Sequence, residues 1–514
     1  MIFNKNFLLA VILIATTTMS CSDNVEKLQV PTETNITEIE GRLSQKFNAS
    51  RFYIAPTENT RVQFTGTTTS DLNRLINQQS DENGTGVIIE IPKSTYYWNR
   101  VVLKSNIHLE IAGGTKIIFD GNSGGVFSIG GSKNGNRLKN VSISGKNGTK
   151  FTVDISSPSL TNKNVNVLKI GRVDNFRFAD INIKDRRSSV NSIVLVHVPG
   201  SPERRPGPKD GIIENINQRG AHTGYGLVQT YNAQNVLFNN LSCEGGITLR
   251  METDDKGMKD ELKDNSKKGG VAQIFAHDIR NKNGLCAVMF SPHFVKNGKV
   301  TVEKVRSVGS AFAVRVEKGF LELFDKKNEY SLDSIGKQKF INFVKEQFPG
   351  VNNVLSGNPY KRNNGRQWAT RLSSEASIAP RNEYVLEQLG RFEPGSFNDS
   401  SVTDVTAIFR NNGEAKIKQA HLKFIPCDLW ENGIKNPAES LGMFNGFEYH
   451  GPSVALSYDN TNGSNVGGHY NVTLIGENFR NFPASSIQNI QYNTSAICNK
   501  KPASITRITA SFPN

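Results

Sequence analysis

The stretch "NVLFNNLSCEGGITLRMETDD", Asn235 to Asp255, holds a β-rich run, a glycine turn and a second β-rich run that ends in charge. In its second half, Ile247, Leu249 and Met251 alternate with Arg250, Glu252 and Asp254. On a strand, such alternation sends the apolar set to one face and the charged set to the other. The same strand, turn, strand unit recurs on both sides, as "GIIENINQRGAHTGYGLVQTYNA", "AQIFAHDIRNKNGLCAVMFSPHF" and "KVTVEKVRSVGSAFAVRVEKG". Gln229 and Glu252 lie 23 residues apart, which is the size of one solenoid coil. A single coil leaves its apolar face bare, and stacking coils buries it. A β-sandwich would need antiparallel hairpins with two-residue turns, and few NG or DG signals separate these runs. The fold class predicted is mainly β, a parallel β-helix.

Working outward, "TSDLNRLINQQS" predicts a short amphipathic helix, capped by Ser70 or Asp71, at the start of the stack. The repeats stop near Phe320. "KKNEYSLDSIGKQKFINFVKEQFPG" then places Phe340, Phe343, Val344 and Phe348 at helical spacing, so 321–394 is predicted to be an inserted small α/β domain. Short strands return in 395–514. The β-helix proper is expected over 61–320, after a tether and lead-in segment, 21–60. Residues 1–20 carry Lys5 and an apolar run from Phe7 to Ala15, which reads as a signal peptide and is too short for a membrane span. "TMSC" resembles a lipobox ending at Cys21. The protein is therefore expected to be exported, as a cell-surface lipoprotein or a secreted protein, with membrane contact only through a lipid at Cys21.

The chain has 514 residues and a formal charge of +14. Such an excess suits an acidic partner. Export turns that expectation from nucleic acid towards an anionic polysaccharide. The five cysteines, Cys21, Cys243, Cys286, Cys427 and Cys498, are too few and scattered for a disulfide framework, and no CxxC or His-rich cluster suggests zinc. Cys243 and Cys286 are expected to be buried packing residues. His222 and His277 read as ordinary turn or strand histidines.

Glu252 and Asp254 stand two residues apart on one strand face, about 6.6 Å at ~3.3 Å per residue. Paired carboxylates across a glycosidic bond supply the acid and the base or nucleophile of glycoside hydrolysis, and separations of about 6.5–9.5 Å suit inversion. One coil earlier, Gln229 is expected beside Glu252 and Tyr231 beside Asp254. One coil later, His293 is expected at the same place. Arg250 on this face, and Arg315 two coils on, are candidate binders of an anionic substituent. The same alternation also fits a solvated strand face, and the solenoid alone also fits a polysaccharide lyase, a hydrolase of another anionic polysaccharide, or a glycan-binding solenoid without turnover.

"GGITLRMETDD", with "GLVQTYNAQNV" upstream and "SPHFVKNGKV" downstream, closely resembles the iota-carrageenases, family 82 of the glycoside hydrolases. The resemblance runs from about residue 60 to near the end. It implies a right-handed parallel β-helix, an extra domain over the cleft at 321–394, and endo-acting hydrolysis of β-1,4 linkages of a sulfated galactan, iota-carrageenan, with inversion. By the same resemblance Glu252 is the proton donor and Asp254 the base, supported by Gln229 and His293. It further implies bound ions, calcium among them, in a structural role, with no cofactor needed for the chemistry. The residues leave any metal ligands unknown. A monomer is expected.

Overall fold

The computed structural model describes residues 49–508, except 57–59, 82–83, 85, 162, 254–257, 259–260, 263–266, 318, 349–359, 363–366, 374–394, 412, 435, 438–447, 460–471, 488–495 and 501–506. The segment expected to be a signal peptide, Cys21 and Asp254 lie outside the described residues.

Parallel strands stack coil upon coil, and their pairing forms three ladders. One runs Phe176, Gly211, Val236, Ile274, Val300. The second runs Ile181, Ile216, Leu241, Ile279, Val305, Val405. The third runs Ile193, Val228, Leu249, Val288, Val314, Ser457. Nearly all these side chains are buried in one continuous apolar core. The parallel β-helix expected from the repeats is the observed fold.

Between the first two ladders the chain must turn a corner within a continuous hydrogen-bonded run. Asp180, Asn215, Asn240 and Asp278 do this with φ values of 65°, 54°, 49° and 54°. Short polar side chains visit this left-handed region at the lowest cost after glycine. Their polar ends then bond from coil to coil. Asn215 donates to Asp180, 35 residues away, at 2.7 Å, and Asn240 donates to Asn215, 25 residues away, at 3.2 Å. A second corner ladder links Asn106, Asn140 and Asn175 at 2.8 Å per step. Coil length therefore varies, from 35 residues at one of these steps to 25 at the next. The corners are fixed by asparagine and aspartate, while the loops between them are free to lengthen. Replacing Asn215 by alanine should lower stability by about 2 kcal/mol, from left-handed strain and lost hydrogen bonds. Asn215→Gly should cost less. Urea midpoints of the two variants check this, and equal losses would refute the backbone part.

Helix α1, Thr69–Gln79, is present, but its N-cap is Thr68. Asp71 occupies the third helical position and completes a capping box with Thr68. Leu72 and Ile76 enter the core. Helix α2, Ser334–Gln347, buries Phe340 and Val344. Nearby, Phe320–Phe324, Gln367–Ser373 and Tyr360–Arg362 form a small antiparallel sheet unlike the coils around it. Here a helix and an antiparallel sheet interrupt the parallel coils. Beyond it, Cys427 and Cys498 are joined in a disulfide, although the cysteine spacing suggested no such framework. Cys243 and Cys286 are free and buried.

Candidate active site

Six strands carry the third ladder: β1 (Ile193–Leu195), β2 (Lys209–Thr230), β3 (Asn232–Glu252), β4 (Cys286–Ser291), β5 (Val314–Val316) and β6 (Ser457–Asp459). Their outward positions align as Val194, Gln229, Arg250, Met289, Arg315 and Tyr458. Gly245, at φ 98°, opens the run that reaches Glu252. A Cβ at the adjacent Gly246 would stand 2.0 Å from the Tyr225 carbonyl oxygen, so the glycine pair lets β3 pass under the preceding turn.

Gln229 pairs with Arg250, not with Glu252 as the sequence suggested. Aligning the inward residues Val228 and Leu249 forces this register. A slip of two residues leaves every side chain on its face, so alternation alone does not reveal it. Gln229 still reaches Glu252, because its Nε2 donates to the Glu252 backbone carbonyl at 2.6 Å. The strand neighbour of Glu252 in the next coil is Ser291. His293 lies two residues further, in a turn closed by the Val295 amide donating to the Pro292 carbonyl at 2.9 Å. His293 has φ 51°, and its Nε2 meets Glu252 Oε1 at 3.2 Å. Tyr231 packs against Val194, Val196 and Val198, while Asp254, its expected neighbour, lies outside the described residues.

The carboxylate of Glu252 was expected to face solvent, yet its side chain is only 17% exposed. Arg250 pairs with its other oxygen, donates to the Gly224 carbonyl, and lies 5.5 Å from the centre of the Tyr225 ring. Burial pushes the Glu252 carboxyl up, but Arg250, then His293 and Lys418, outweigh it and hold the group well below the usual carboxylate range. Glu252 is a partly buried, charge-paired carboxylate. Arg315 repeats the pattern. It is 2% exposed and pairs with Glu317 two residues on. Burial lowers its pKa.

The sequence reading missed Glu317, Tyr225 and Lys418. Glu317 carried a signal, since Arg315-Val316-Glu317 repeats the Arg-x-Glu order of Arg250 to Glu252. Lys418 carried none, because the antiparallel strand Ala415–Lys418 brings it in from far along the chain. Among the described residues no group of three or more His, Cys, Asp or Glu side chains stands together as a metal site.

A stacked parallel β-helix with a partly buried carboxylate, glutamine and histidine on one outer wall defines a polysaccharide-active solenoid. Comparison with known proteins narrows the class. An iota-carrageenase of Zobellia galactanivorans is 40% identical over 503 residues, covering 94% of this chain and 94% of that protein. The chain belongs to the iota-carrageenases. A solved GH82 iota-carrageenase from A. fortis superposes with a TM-score of 0.75 at 32% identity, covering 90% of this chain and 96% of that one. A solved iota-carrageenase complexed to iota-carrageenan fragments gives 0.73 at 31% identity, covering 90% and 98%. No protein-family model matches the chain.

Proposed function

We propose that this protein is an exported, endo-acting hydrolase that cleaves the β-1,4 linkages of iota-carrageenan with inversion. The observation that carries the reading is the set of groups held on one carboxylate, Glu252, in a chain of this family. In the mechanism, Glu252 gives its proton to the leaving glycosidic oxygen as the C1–O bond breaks. Asp254 takes a proton from the water whose oxygen bonds to C1 on the opposite face. Gln229 fixes the strand position of Glu252, and His293 orients its carboxyl. The insertion, 321–394, is assigned to the face above the bound chain, and Cys21 to lipid attachment after removal of 1–20.

A general acid must carry its proton, and Glu252 in the free protein does not. The substrate supplies the change. A sulfate ester arriving beside Arg250 competes for its guanidinium and brings negative charge towards Glu252. Both effects raise the Glu252 pKa. Arg250 is thus tied to the acid until the anionic chain is bound, which favours protonation only with the sulfated substrate in place. Arg315 and the overall positive charge add attraction for the same polymer.

The ion pair also favours a second reading, in which Glu252 stays ionised and serves as the base while Asp254 is the acid. The first test of the function is one time course on iota-carrageenan that follows reducing ends and ultraviolet absorbance together. Reducing ends without absorbance are expected. Absorbance rising with the ends would mean elimination, and so a lyase.

A further inference from the structure

Next to His293 lies a group of side chains that the proposed chemistry does not use. Met258 and Leu262, both essentially unexposed, form a small apolar cluster with Phe294 and Val295, the two residues that follow His293. Between them in sequence, Glu261 turns the other way. Its Oε2 accepts from His197 Nε2 at 2.6 Å, and its Oε1 accepts from the Gly200 amide.

The far side of His197 fixes the direction of that bond. Arg205 donates to Asn232 Oδ1 at 3.2 Å, so the Asn232 amide nitrogen faces His197 Nδ1, 3.0 Å away. Nδ1 is then the acceptor and Nε2–H the donor to Glu261. His197 and Asn232 are buried, at 2% and 0% exposed. Further bonds tie the same two segments. Arg205 donates to the Gly270 carbonyl at 2.8 Å, Lys267 Nζ to the Glu203 carbonyl at 2.8 Å, and the Lys268 amide to the Arg204 carbonyl at 2.7 Å.

The residues Met258, Glu261 and Leu262 are therefore anchored to the β-helix wall on one side by the hydrogen bond from His197 to the Glu261 carboxylate. On the other they press on the turn that holds His293. That turn needs support, because His293 occupies the left-handed region at φ 51°, which is unfavourable for a residue with a Cβ. We propose that Met258, Glu261 and Leu262 form a clamp that positions His293 against Glu252, with the His197–Glu261 pair as its anchor. None of the three need touch substrate; they are positioning residues. The inference rests on the reading that His293 orients the Glu252 carboxyl.

The test is a cycle on the full chain with iota-carrageenan as substrate: Leu262→Ala, Leu262→Met, His293→Ala and the double variant Leu262→Ala/His293→Ala. Leu262→Ala should lower kcat about 10- to 100-fold through misplacement of His293, with KM little changed. Leu262→Met, which refills the space, should restore most of kcat. The double variant should be no slower than His293→Ala alone, because the clamp acts only through His293. If Leu262→Ala does not fold, Glu261→Ala takes its place, since it removes the anchor and leaves the apolar cluster. Losses that multiply in the double variant, or a lowered Tm with unchanged kcat, would overturn the clamp alone. Wild-type kcat in His293→Ala would overturn the reading of His293 and the clamp with it.

Discussion

Glu252→Gln should lose about 10³-fold in kcat on iota-carrageenan while binding the polymer nearly as well as the wild type. The amide keeps the shape of the carboxyl: its oxygen can accept from Arg250, and its NH2 can donate to His293 Nε2 in the tautomer that leaves that nitrogen bare. What it loses is the proton. The size of the loss follows from general acid catalysis, whose removal typically costs between about 10² and 10⁴ in rate. A leaving group that needs no proton separates the two assignments of the carboxylates. On a carrageenan oligosaccharide ending in a 4-nitrophenyl group, Glu252→Gln should recover much of its rate if Glu252 is the acid. If Glu252 is the base, the aryl substrate should bring no recovery, and added azide should rescue the variant instead. Full activity on the natural polymer would remove Glu252 from the chemistry altogether.

The parts of this site that the sequence made legible are those set by local alternation. Apolar residues at 247, 249 and 251 against polar ones at 250 and 252 gave the strand, its faces and the direction of Glu252. Recurrence of the same unit gave the stacked fold. Residues up to 41 positions apart, such as Glu252 and His293, were then expected together, and they are. Three things were not legible. The register between β2 and β3 was off by two residues, because the irregular turn between Gln218 and Gly226 absorbs length and a two-residue slip keeps all faces. The clamp around Met258 was hidden because "DKGMKDELKDNSKKGG" reads as a polar loop, with only Met258 and Leu262 to anchor it. The partner of Arg250 was also hidden. Its charge could be read, but whether it pointed to sulfate or to Glu252 depended on a side-chain direction that spacing does not give.

That partner makes Arg250 a residue whose loss should disturb stability strongly. Arg250→Met should destabilise the protein by about 3–5 kcal/mol, since removing one member of a buried ion pair leaves the other uncompensated. The loss should depend on pH in a way the wild type does not show. In the wild type the Glu252 carboxyl is held below its unfolded value of about 4.3. Such a group adds stability above the unfolded pKa and loses it only as pH falls through the depressed value, so between about pH 5 and about pH 8 the wild type keeps the full contribution. Without Arg250, the strongest of the groups that oppose burial is gone and His293, Lys418 and Arg315 remain, so the Glu252 pKa is expected to rise past its unfolded value. The sign then reverses. The Glu252 contribution is then largest while the group is protonated, and the Tm of the variant should fall relative to that of the wild type as pH rises through that range. The basic limb of the pH–rate profile should move upward in the same variant, because a general acid with a raised pKa stays protonated to higher pH. A wild-type-like pH dependence of Tm in Arg250→Met would show that Arg250 does not set the charge on Glu252. The sulfate-linked protonation proposed above would fall with it. Arg250→Lys serves as the control: it keeps the charge and loses the planar fork, and should retain the wild-type pH dependence of Tm at a lower kcat.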